Sequence, residues 1–162
     1  MHKLVLPLLT AIVATIAPSA PAHATNVVAN PAQIRDVMRK AGYAVEIKGE
    51  KEATMIRATR GKDNYSINVS FYGCDTNTAV NCKSVQFYTA FNPKTKPTLE
   101  AINNYNLRNR WGRVYRDKVN DPIIEMDVDM EKGGMSEALF LDNLEYYETV
   151  MGRFATFVFS AD

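Results

Sequence analysis

An α+β fold, an antiparallel sheet packed on helices in the order α-ββββ-α-ββ-α, follows from three features of the 162-residue sequence. Apolar residues keep a three-four spacing near residue 34 and again over a long final stretch. Between these stretches they alternate with polar ones, as where Tyr65, Ile67, Val69 and Phe71 interleave with Ser66, Asn68 and Ser70. Most changes of period fall on a helix cap, a proline or a glycine.

Residues 1–24 read as a secretory signal. A short basic start at His2 and Lys3 leads into an apolar run over residues 4–17, and Ala22-His23-Ala24 supplies a small-x-small cleavage site. The run contains Pro7 and is shorter than the roughly 20 residues that span a bilayer, so no stable membrane anchor is expected after cleavage. Both histidines lie in this leader. Its removal also takes Lys3 and brings the formal charge from +1 to zero. A neutral, exported chain lacks the electrostatic excess with which nucleic-acid binders collect phosphates, so no nucleic-acid partner is expected.

Residues 25–30 read as a short N-terminal linker and residues 31–162 as one domain. Asn30 before Pro31 is a helix cap with proline at the first helical position; Ile34, Val37, Met38 and Ala41 carry the helix, and Gly42 stops it. Tyr43, Val45 and Ile47 then form a strand, GEKE a turn, and residues 55–59 a second strand. A turn at residues 60–63 leads to the third strand, and Val85, Phe87, Thr89 and Phe91 make the fourth. Four such strands in succession suggest an antiparallel meander with one face covered. After Pro97, Thr98 caps a second helix carried by Leu99, Ile102, Tyr105 and Leu107 that ends near Arg110. Residues 114–117 and 123–130 are two strands around an Asn120-Asp121-Pro122 turn. Gly133 and Gly134 break the second, and Ser136 caps a long helix with Phe140, Leu144, Tyr147, Met151, Phe154 and Val158 on one face.

Cys74 and Cys82 flank the connection between the third and fourth strands. They are the only cysteines of a chain expected in an oxidising compartment, so a disulfide is the natural reading, worth about 2.5 kcal/mol for so short a loop. A redox or metal-binding pair is the alternative, but two thiolates without a histidine make an incomplete zinc site.

The runs SINVSFYGCDTNTAVNCKSVQFYTAF, LEAINNYNLRNRWGRVYRD and DPIIEMDVDMEKGGMS, in that order, resemble successive blocks of the YbjN-domain family of bacterial sensory transduction regulators. The resemblance covers about residues 31–158. It implies a fold similar to type III secretion chaperones and a tendency to dimerise, and it brings no catalytic residue. The order read here has one strand more than the minimal chaperone order α, three β, α, two β, α: either the sheet is extended or one of the first four strands is irregular.

Four arginines, Arg108, Arg110, Arg113 and Arg116, surround the sole tryptophan, Trp111. Arg108 and Arg110 fall at the end of the second helix, where cations meet the negative end of its dipole. Arg113 and Arg116 have opposite strand parity and should point to different faces. Arg108, Arg110 and Trp111 have the residue mix of binding hot spots and are the candidate partner-binding residues.

Glu125, Asp127, Asp129 and Glu131 share one strand face, which alternation alone explains as a solvated face. Calcium is the sharper reading, but DVDMEKGG has its glycine one place late for an EF-hand loop and Ala138 where the bidentate glutamate belongs. No metal or cofactor is therefore expected. Enzyme readings lack a histidine, a G-x-S-x-G elbow and a phosphate-cradling loop, which leaves only paired carboxylates for a hydrolase. The aromatics Tyr146, Tyr147, Phe154, Phe157 and Phe159 are core or helix-face residues. The resulting expectation is a periplasmic or secreted, non-enzymatic protein that binds another protein or itself. A small-ligand sensor is the second reading, and it requires a pocket joining the arginines to the carboxylate strand.

Overall fold

The computed structural model describes residues 26–61 and 65–160. The expected signal, half of the turn at 60–63 and the last two residues lie outside them. Helix α1 (Pro31–Lys40) starts where Asn30 Oδ1 accepts the Ala32 and Gln33 amides, and it buries Ile34 and Met38. Strands β1 (Ala44–Lys48), β2 (Met55–Thr59), β3 (Ile67–Tyr72) and β4 (Ser84–Ala90) follow as an antiparallel meander, with a 3-10 turn at Lys51–Ala53. After α2 (Leu99–Arg108) come β5 (Arg113–Arg116), β6 (Pro122–Asp129) and α3 (Glu137–Phe159). The predicted order is observed, and the extra strand extends the sheet.

The sheet order is β1-β2-β3-β4-β6-β5, antiparallel throughout. The chain leaves β4, skips one place to lay down β5, and returns as β6 into the gap. Register then aligns Val69, Phe87 and Met126 across three strands, so alternate residues of β2, β3, β4 and β6 make one buried face. Helix α1 lies against β1 and β2, and α3 against β4 and β6. Phe140, Leu144, Tyr147, Met151, Phe154 and Val158 of α3 are all buried, as their spacing requires. Phe87 meets the Phe140 and Tyr147 rings at 5.9 and 5.5 Å. Each such side chain contributes about 1.5–3 kcal/mol by leaving water.

One polar group is carried into this core. The Tyr147 hydroxyl donates to the Ile124 carbonyl at 3.1 Å and lies 3.0 Å from the Thr89 hydroxyl, which donates to the Ser66 carbonyl. Strands β4 and β6 and the residue before β3 are thereby pinned to α3.

Helix α2 covers the end of the sheet instead of a face. The Asn106 amide donates to the Val114 carbonyl at 2.9 Å and accepts the Val114 amide at 3.1 Å, replacing the ladder partner that edge strand β5 lacks. Tyr105 packs on Phe154 and Phe157. Ile102 is buried, whereas Leu99 and Leu107, expected among the residues carrying this helix, are exposed. A helix that touches the sheet only along its edge has a narrower apolar stripe than the sequence pattern suggested.

Cys74 and Cys82 form a disulfide across the β3–β4 connection. Val27 and Ala29, in the stretch read as a linker, are buried and pair with Met135 and Cys82. The close approach needs Gly134, where a Cβ would collide with the Val27 carbonyl oxygen.

Candidate functional site

Because α1 and α3 share one face of the sheet, alternate residues of β3, β4, β5 and β6 project from the other. Tyr72, Gln86, Tyr88, Arg113, Tyr115, Glu125 and Asp127 belong to this open face by register. At its centre Glu125 is cross-strand partner of Tyr88 on one side and Arg113 on the other. It is only 4% exposed. Arg113 pairs with one carboxylate oxygen, and the Tyr115 hydroxyl donates to the other at 3.1 Å.

The expectation of a uniformly solvated carboxylate face is therefore corrected at one position. Asp127 and Asp129 are exposed, as is Glu131 beyond the strand, but Glu125 is covered by two side chains of β5. Among the described residues, no group of three or more histidine, cysteine or acidic side chains is arranged to hold a metal ion.

A second set of bonds runs beside the first. Tyr72 donates to Gln86 Oε1 at 3.2 Å, and Gln86 Nε2 donates to Asp127 at 2.9 Å. Burial raises the Tyr88 hydroxyl above its ordinary range, and the nearby Tyr72 and Tyr115 add to the shift. Three tyrosines thus lie near two hydrogen-bonded acids, Glu125 and Asp127. Two of them, Tyr72 and Tyr115, border a groove of about 600 Å³ that Gln86, Asn106, Arg113 and Glu125 also line. A second depression of about 350 Å³ shares Arg113 and Glu125 and reaches Asp127, Gly112 and Trp111.

Trp111 forms the rim between this groove and the helical side. At Gly112 a Cβ would lie 2.9 Å from Ile124 Cδ1, so the chain presses tightly on the core there. Trp111 precedes this contact with φ +73°, a left-handed conformation that costs a non-glycine residue roughly 1–2 kcal/mol. The residue is 57% exposed, its ring lies 5.3 Å from that of Tyr146 on α3, and the Arg110 guanidinium is 5.4 Å from the ring centre.

The structure thus brings two of the three candidate partner-binding residues, Arg110 and Trp111, into one stack. Arg108 is exposed at the last turn of α2, beside the negative end of its dipole, and does not join them. Arg110 lies beyond the helix, after the Asn109 cap. Arg113 and Arg116 point to opposite sides as parity required: Arg113 reaches Glu125, whereas Arg116 bonds the Pro97 carbonyl and Asn120.

Sequence reasoning missed Tyr72, Gln86, Tyr88 and Tyr115. Each sits at the polar parity of its strand, but only the insertion of β6 between β4 and β5 shows that they converge.

Residues 30–160 match the model of the family YbjN, described as "Putative bacterial sensory transduction regulator". No curated protein and no solved structure gives a significant match.

Proposed function

Since the chain belongs to the YbjN family, described by a regulatory role and not by a reaction, we propose that it is an exported, non-enzymatic regulatory module that works by binding a protein partner. Export is supported by the first 24 residues and by a disulfide that suits an oxidising compartment. The observation that carries the binding surface is the Arg110–Trp111–Tyr146 stack. It exposes two large rings and a guanidinium, the residue types that dominate protein interfaces, on a backbone conformation that is costly to hold. Packing against Tyr146 returns part of that cost, yet Trp111 stays mostly in water. The partner is a protein, either foreign or a second copy of this chain.

Cross-linking of the tagged protein in intact cells, followed by mass spectrometry, tests this. A recurrent adduct lost in Trp111→Ala and Arg110→Ala supports the rim as the interface; capture unchanged in both variants rejects it.

A small-ligand sensor is the second reading. It requires a pocket joining the arginines to the carboxylate strand, and the depressions at Glu125 and Asp127 bring one of the four, Arg113, to that strand. Specific thermal stabilisation by one compound is its signature. The two readings are compatible, with a ligand in the groove and a partner on the adjoining rim.

A further inference from the structure

We propose that the open-face groove binds a carbohydrate chain, an inference that rests on the second reading above, in which the groove is a ligand site. Charge is the first argument. The floor holds Arg113 paired with Glu125 and, beside them, Asp127, so an anion meets a net negative surface and a cation finds Glu125 already neutralised by the guanidinium. A strongly anionic ligand is disfavoured, and a cation has Asp127 alone to pair with. An apolar ligand is disfavoured too, because it would dehydrate the Tyr72–Gln86–Asp127 and Tyr115–Glu125–Arg113 chains without replacing their water contacts.

Sugar hydroxyls are neutral and can both donate and accept. They can therefore donate to Asp127 and accept from the exposed guanidinium of Arg113 without a net charge mismatch. The hydrogen bonds within the floor hold these groups in place before a ligand arrives, which lowers the entropy lost on binding.

Aromatic placement is the second, independent argument. Tyr72 and Tyr115 are substantially exposed at the groove, and Trp111 at the adjoining depression that shares Arg113 and Glu125 with it. Ring faces carry negative potential and attract the electropositive C–H face of a pyranose while its hydroxyls reach the polar floor. From β3 to β5 the open face crosses three strand spacings, roughly 14 Å. That length suits several linked rings better than one.

The sole tryptophan lies at the groove and reports occupancy directly. The full chain is titrated with maltohexaose, chitohexaose and laminarihexaose, following Trp111 emission and, independently, heat by calorimetry. Saturable binding of at least one oligosaccharide is expected, weakened about tenfold by Tyr115→Ala and unchanged by Leu139→Ala on the helical side. No heat and no emission change with all three, or binding indifferent to Tyr115→Ala, overturns the assignment. Cross-linking through the Trp111 rim and thermal shifts with non-sugar compounds do not depend on that outcome, so the carbohydrate can fail while either proposed function stands.

Discussion

The two faces of β4 and β6 carry polar networks built from adjacent residues, and they are used in opposite ways. On the covered face Thr89 and the Ile124 carbonyl hold the Tyr147 hydroxyl, in a site sealed by α3. One residue away along each strand, Tyr88 and Glu125 belong to the open face, where Arg113 and Tyr115 complete the set. The inner network has spent its hydrogen-bonding capacity on other parts of the chain. The outer one leaves Arg113 with a side chain 68% exposed above a carboxylate that is 5% exposed. A helix seals the buried polar group of the inner network, whereas on the outer face only two side chains of β5 cover the carboxylate, and one of them stays largely in water.

The largest effect expected is on the covered face. Phe87→Ala should lower unfolding stability by about 3–5 kcal/mol in urea titration, while Tyr88→Ala on the neighbouring residue should cost about 1 kcal/mol. Comparable losses would erase the distinction between the faces. Arg113→Ala comes next, because it strips Glu125 of its cation. A loss of about 1–2 kcal/mol is expected, reduced from that of a fully buried pair by the exposure of Arg113, and adding Glu125→Gln should recover most of it. A double-mutant cycle without recovery would mean that Glu125 is not held by charge pairing.

Tyr147→Phe should cost about 1 kcal/mol at neutral pH. Burial raises the Tyr147 hydroxyl above the ordinary phenol range, so its contribution is complete below about pH 10 and falls as pH rises, since the unfolded chain ionises first. Wild-type stability should therefore decline more steeply than that of the phenylalanine variant in alkaline urea titrations. The smallest effect is at Trp111→Asn, where asparagine tolerates the left-handed backbone. Stability within about 0.5 kcal/mol of wild type, together with lost partner capture, would separate recognition from folding at this position.

Element order and type were legible because each rests on local chemistry. Asn30-Pro31, Thr98 and Ser136 cap the helices as read, and the three-four pattern of α3 identified six of its buried residues but not Val150 and Ala155, which flank that stripe. Opposite parity placed Arg113 and Arg116 correctly. The open-face site was not legible, since Tyr72, Gln86, Arg113 and Glu125 come from four strands whose adjacency depends on β6 entering between β4 and β5. The acidic alternation announced a wet face, and nothing local distinguished Glu125 from Asp127. The exposure of Leu107 was hidden for a related reason: a helical stripe does not reveal whether its helix meets a face or an edge.

The late insertion of β6 also sets a timetable for the newborn chain. Until residue 129 has emerged, the strand SVQFYTA offers a bare hydrogen-bonding edge to any passing polypeptide. Closing it requires a contact across about 40 residues, slow compared with the β3–β4 hairpin that the disulfide can tether at once. The interval between these two events is when the protein is most exposed to aggregation and would gain most from a holding chaperone.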